Sequence, residues 1–201
     1  MLGPITTTLQ GVIDITWPMV LIACIVIVSL RLSYLIKNKE RVVLYNELLS
    51  LSFLIYIMSL FQVVTFQDDV TWSSNNFVPF REILRYNMGS RLFFKNVLGN
   101  MIMFLPYGFF ASYYLKSKKL TLPLCLTILT SVSIETVQLI IGRVFDVDDI
   151  ILNTIGATFG YLIYKFINKM PIFKKKYINY LICIGILVII LLYFLKVMGN
   201  V

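Results

Sequence analysis

Side chains able to do chemistry sit inside otherwise apolar runs at three places in this chain. The stretch IETVQLIIGRVFDVDD carries Glu135 and Gln138, three apart and so on a shared helical face, then Arg143, Asp146, Asp148 and Asp149. NVLGNMIMFLPYGFF carries Asn96 and Asn100, four apart, with Pro106 and Gly108 further in, where the helix is expected to be interrupted. IILNTIGATFGY carries Asn153, followed by Gly156 and Gly160 in a small-xxx-small pattern that lets another helix approach closely. A carboxylate in an apolar span is costly and by default marks a site, which makes Glu135 the candidate general acid or base. Asp146, Asp148 and Asp149 offer the oxygen ligands that Mg and Ca take, and so are the candidate ligands of a divalent cation, although their spacing matches no EF-hand loop. Structural roles compete with these. Asn100, Gln138 and Asn153 would serve as interhelical hydrogen bonds of ~0.6 kcal/mol each, Glu135 as a partner of Arg143, and the aspartates as a solvated loop.

Other chemistries are excluded by composition. The chain has no histidine, which removes Ser-His-Asp and Cys-His triads and imidazole zinc sites. Cys24, Cys125 and Cys183 lie in apolar runs, where cysteine behaves as a small hydrophobe.

The elements that must position these groups are membrane helices. Of 201 residues, 59% are apolar and 14% charged, too little polar surface to cover a water-soluble globule. A span needs ~20 apolar residues, and six stretches approach that: 15–36, 48–67, 96–115, 120–141, 150–167 and 177–195. Met1 to Trp17 contains no Lys or Arg, so the first stretch does not open as a signal peptide and is expected to persist in the mature protein. The expected fold is all-α, a polytopic bundle of six transmembrane helices. Residues 1–67 provide two spans, 68–167 the core with a long outer loop and three spans, and 168–201 the last span. In the outer loop Phe80, Ile83, Leu84 and Met88 recur at helical spacing opposite Arg81, Arg85 and Asn87, which predicts a short helix lying on the membrane surface.

Charge sets the expected orientation. The segments Arg31–Arg41, Lys116–Lys119 and Lys165–Lys176 carry twelve of the eighteen basic residues and are expected in the cytoplasm, leaving both termini of this multi-pass cell-membrane protein outside. The net charge of +8 is then an anchoring charge on the inner face, with no nucleic-acid partner implied. In this topology Asn100, Glu135 and Asn153 fall at similar depth, roughly 5 to 10 Å below the outer boundary at 1.5 Å per residue, beneath the loop bearing Arg143 and the aspartates.

These residues resemble the VanZ-like membrane proteins over about residues 75–167. The likeness rests on NNFVPF, on NVLGNMIMFLPYGFF with its Asn-then-Phe-x-Pro-x-Gly pattern, on IETVQ, and on GRVFDVDDIILNTIGATFG. The resemblance implies a cell-envelope role at the outer face and reduced susceptibility to lipoglycopeptides such as teicoplanin. Two modes of action follow from the residues. In one, the pocket binds or remodels an envelope lipid or lipid-linked cell-wall precursor, or meets the lipoglycopeptide itself. Arg81, Arg85, Arg91 and Arg143 would pair phosphates there, and the acids would organise those arginines. In the other, a metal-dependent enzyme acts on a lipid-linked phosphate or sugar. The absence of a nucleophile motif or a phosphate-cradling glycine loop favours the first.

Overall fold

The computed structural model describes residues 3–66 and 75–170, and beyond them only positions 180–182, 184, 185 and 188, all helical. The helices run α1 (Gly3–Asn38), α2 (Leu44–Phe66), the short α3 (Arg81–Arg85), α4 (Gly99–Leu115), α5 (Thr121–Ile140) and α6 (Val147–Lys169). No strand occurs among the described residues, where the one extended pairing is an isolated bridge between Asn76 and Asp146. Among the described residues, four segments are long and apolar enough to cross a membrane: Trp17–Asn38 within α1, Leu44–Gln62 within α2, Thr121–Ile140 and Val147–Lys169. The sixth predicted span, 177–195, lies almost wholly outside the described residues, as do positions 67–74 of the long loop.

The third predicted span is helical from Phe93 onward, because a π-helical turn, Phe93–Leu98, passes without a break into α4. Its wider turn puts Asn96 and Asn100 on diverging directions, although they are four residues apart. The expected interruption at Pro106 and Gly108 does not occur, and α4 continues through both to Leu115. Proline is tolerated inside membrane helices, where neighbouring helices and local adjustment absorb the freed backbone group.

The helices fall into two compact units, one holding α1 and α2 and the other α3 to α6. In the first, α1 and α2 form a hairpin. Lys39 takes a left-handed conformation at the turn, and the Arg31 guanidinium grips Glu47 through two bonds of 3.0 Å.

In the second, α4 and α6 touch backbone to backbone. A Cβ built on Gly156 would lie 2.0 Å from the carbonyl oxygen of Met101, one on Gly108 2.0 Å from that of Ala157, and one on Gly160 2.1 Å from that of Leu105. The small-xxx-small spacing of Gly156 and Gly160 thus receives α4. Helix α5 packs on α6 with its polarity reversed relative to a water-soluble helix. Thr127, Ser131 and Glu135 form a stripe at most 1% exposed, whereas Ile128, Leu129, Val132 and Ile140 face outward. Hydrocarbon surroundings favour that arrangement, since polar side chains then find partners on other helices.

Candidate functional site

Helix α5 ends in a left-handed Gly142, and the Arg143 amide reaches back to the Gln138 carbonyl at 2.8 Å. This closure suits glycine, which carries no Cβ penalty there, and it turns the chain sharply so that residues 143–146 cross towards the start of α6. The crossing strand meets the segment before α3. The Asn76 amide donates to the Phe145 carbonyl at 2.8 Å, the Val147 amide donates to the Asn76 carbonyl at 3.0 Å, and the rings of Phe77 and Phe145 stack 5.4 Å apart.

Each of the three aspartates has its own task at this junction. Asp146 caps α6, accepting the Asp148 amide at 2.8 Å two residues on, and also accepts the Asn76 side-chain amide at 2.8 Å. Burial pushes the Asp146 carboxyl above its ordinary value, with the Asp148 amide pulling the other way. Asp148, 1% exposed, turns its carboxylate onto the N-terminus of α3, where the amides of Phe80, Glu82 and Ile83 donate to it, the last two at 2.7 and 3.1 Å. A five-residue helix has little stability of its own, and a carboxylate on its first amides complements both its unpaired donors and its dipole. Asp149 accepts the side-chain amide of Asn100 on α4. Among the described residues no group of three or more acidic or thiol side chains is placed to hold a metal ion.

Glu135, also 1% exposed, accepts the Asp146 backbone amide at 2.9 Å, tying α5 to the loop it has just left. Arg143 lies within electrostatic range of both Glu135 and Asp149. Gln138 is buried beside them on the same face of α5. Asn153 joins one turn further along α6, and its Nδ2 donates to Ser131 Oγ at 2.9 Å. Asn100, Glu135 and Asn153 therefore do not close into one set. Asn100 pairs with Asp149, and Asn153 pairs with Ser131 one turn away along both helices. Arg81 and Arg85 are exposed on α3, with Arg85 paired to Glu82 at 3.2 Å.

Asn76, Ser131 and Tyr86 belong to this network without standing out in the sequence. Ser131 was findable as the residue four before Glu135, on the same face. Asn76 sits inside the NNFVPF motif, but its partner lies 70 residues away. Tyr86, whose phenol burial pushes above its ordinary value, accepts the Asn96 side-chain amide at 2.8 Å.

A family model described as VanZ/LLP1 matches residues 53–168, more than half of the chain. The chain belongs to the VanZ/LLP1 family. A relative in that family, Protein VanZ of Enterococcus faecium, is 31% identical over 101 residues, covering 49% of this chain and 62% of the relative. The match thus spans less than two thirds of the relative's length. No solved structure matches the chain. Family membership together with the apolar helices makes this a multi-pass membrane protein. The VanZ/LLP1 match takes in the whole junction, from the Asn76 segment through the Glu135 stripe to the start of α6.

Proposed function

We propose that the protein binds the headgroup of an envelope lipid or lipid-linked precursor at the outer leaflet, and that this binding underlies VanZ-type resistance to lipoglycopeptides such as teicoplanin. The supporting observation is the convergence of Glu135, Asp149 and Asn100 at one end of the α4–α6 bundle, within range of Arg143 and beside the segment that carries Arg81 and Arg85. Polar groups of this density inside apolar helices are retained where they meet something polar. The guanidinium groups suit phosphate oxygens, which they grip through paired N–H bonds.

In this reading six spans place both termini outside and α3 lies at the interface. Leu84 and Met88, 81% and 91% exposed, would dip among acyl chains while Arg81, Arg85 and Arg91 meet phosphates. The orientation is tested in a variant lacking Cys24, Cys125 and Cys183. A cysteine at Asn75 should react with an impermeant maleimide on intact cells, and one at Lys118 only after permeabilisation. The reverse pattern inverts the protein and removes the outer-leaflet site.

Function is tested by expressing the protein in a susceptible Gram-positive host. Wild type should raise the teicoplanin concentration needed to stop growth. Glu135→Gln, which keeps volume and removes charge, should return it to baseline with an unchanged amount of protein in the membrane. Native mass spectrometry of the wild type should show a retained phosphorylated or glycosylated lipid. Undiminished resistance in Glu135→Gln would move the function away from this cluster.

A further inference from the structure

The two ends of the α4–α6 bundle carry opposite charge. No acidic residue occurs between Glu82 and Glu135 or anywhere after Asp149, and Glu135, Asp146, Asp148 and Asp149 gather at one end. The other end lies ~24 Å along α6 at 1.5 Å per residue. It presents Lys116, Lys118 and Lys119 from the α4–α5 turn and Lys165 and Lys169 from α6, all exposed. None of these lysines makes an ion pair among the described residues. Their backbone is fixed all the same. Lys116 ends α4 in a left-handed conformation, the Ser117 amide returns to the Ser112 carbonyl at 3.1 Å, and Ser117 Oγ donates to the Lys119 carbonyl at 2.6 Å. Tyr161 of α6, itself buried, donates its hydroxyl to the Lys118 carbonyl at 3.0 Å, and the Lys165 ammonium lies 5.8 Å from the centre of the same ring. One tyrosine thus holds the lysine-bearing turn by its hydroxyl and a lysine of α6 by its ring face.

We propose that the α4–α5 turn and the end of α6 form a surface site for the headgroup of an anionic phospholipid, with Lys118 and Lys165 meeting its phosphate and Tyr161 as the positioning residue. Charges with no counter-charge at their own end of the unit draw one from outside, and an ammonium group is a compact donor suited to phosphate oxygens. The apolar neighbours select the source of that phosphate. Leu115, Leu162 and Phe166 are 40%, 50% and 60% exposed close to the lysines in sequence. An acyl chain beneath a phosphate covers such residues, whereas inorganic phosphate or an acidic protein segment leaves them bare. Tyr113 and Tyr114 precede the turn, and tyrosine accumulates at headgroup level. A diffuse anchoring charge would depend on the number of lysines and be indifferent to their placement. Here the placement is built into the fold. The site is independent of the one proposed above, which lies at the opposite end of α6.

The test uses the full-length protein in nanodiscs of equal phosphatidylcholine and phosphatidylglycerol, with the retained lipid read by native mass spectrometry. Wild type should retain phosphatidylglycerol in preference by about twentyfold, since one lysine near an anionic lipid contributes about fivefold and two act together. Lys118→Gln and Lys165→Gln should each lower the preference about fivefold. Lys37→Gln is the matched control, an exposed lysine at the end of α1 in the other unit, and should change it by less than about twofold. Tyr161→Phe keeps every charge and the ring near Lys165 and removes only the hydrogen bond to the Lys118 carbonyl. It should lower the preference about threefold, which charge counting alone does not predict.

A loss in Lys37→Gln equal to those in the Lys118 and Lys165 variants would overturn the proposal, because retention would then follow net charge. So would an undiminished preference in both Lys118→Gln and Lys165→Gln. Full displacement of phosphatidylglycerol by inorganic phosphate would make this a free-anion site. Binding of poly-glutamate to the protein in pure phosphatidylcholine, lost in the same two variants, would assign the surface to an acidic protein; either result overturns a lipid site. Unchanged retention in Tyr161→Phe would strike out the positioning role, and if that variant fails to fold, the two lysine variants decide. The outer-leaflet reading is decided separately by the resistance phenotype of Glu135→Gln, into which none of these lysines enters.

Discussion

Gly156→Ala is expected to leave almost no folded protein, although it adds a single methyl group. The new Cβ would stand 2.0 Å from the carbonyl oxygen of Met101 and 2.8 Å from its carbonyl carbon and Cα. All of these are backbone atoms, so no side chain can rotate away and the two helices must separate along their length. Overpacking of a rigid contact ordinarily costs 1 to 3 kcal/mol, and forcing two backbones apart should reach about 3 to 5. Gly99→Ala is the matched control, since its Cβ would meet only the Phe94 carbonyl at an ordinary 3.8 Å. It should be neutral or stabilise by up to about 1 kcal/mol through helix propensity. Unfolding of the two purified variants by heat in one detergent compares them directly. Similar midpoints would mean that α4 and α6 are not in backbone contact.

Asp148→Asn should release α3 from α6 while the five longer helices stay folded. In the wild type Oδ1 receives the Phe80 amide and Oδ2 the amides of Glu82 and Ile83. Asparagine keeps one oxygen and turns an NH2 group towards the remaining donors, so part of the set is lost and part becomes repulsive. Hydrogen bonds to a charged group contribute about 1.5 to 3 kcal/mol, so protection of these amides against hydrogen exchange should fall by about tenfold to a hundredfold. Asp148→Leu should lower it further by leaving every donor unpaired. Hydrogen exchange resolved at residues 80–85 reads the effect, and unchanged protection in both variants would show that α3 holds its shape without this carboxylate.

The long helices were legible because apolar length is a signal that one residue hardly disturbs. Spans placed at 48–67, 120–141 and 150–167 appear as Leu44–Phe66, Thr121–Ile140 and Val147–Lys169. The tight approach signalled by Gly156 and Gly160 was also readable, because only small residues permit it. The division of labour among Asp146, Asp148 and Asp149 was not. Their spacing suggested a shared ligand, whereas each serves a partner remote in sequence, at Asn76, at the start of α3 and at Asn100. Periodicity reports which face a residue occupies and is silent about what stands opposite. A helix stands at Arg81–Arg85, within the apolar spacing that predicts one, but it ends before Met88, and its lying on a membrane surface belongs to the proposal. The π turn at Phe93–Leu98 has no compositional mark, and it sends Asn96 to Tyr86 while Asn100 goes to Asp149.

The reversed polarity of α5 bears on how the bundle responds to temperature. Water-soluble domains gain about 12 to 15 cal/mol/K of heat capacity per residue on unfolding, because apolar surface becomes hydrated. When α5 leaves its neighbours within a bilayer, Thr127, Ser131 and Glu135 are uncovered, while Ile128, Leu129 and Val132 face acyl chains before and after. Little apolar area meets water in that step, so its heat-capacity change should be small. Calorimetry of the bundle in lipid should accordingly give an unfolding enthalpy that varies little with temperature, and a stability that declines steadily on warming instead of passing through the cool-temperature maximum typical of soluble proteins.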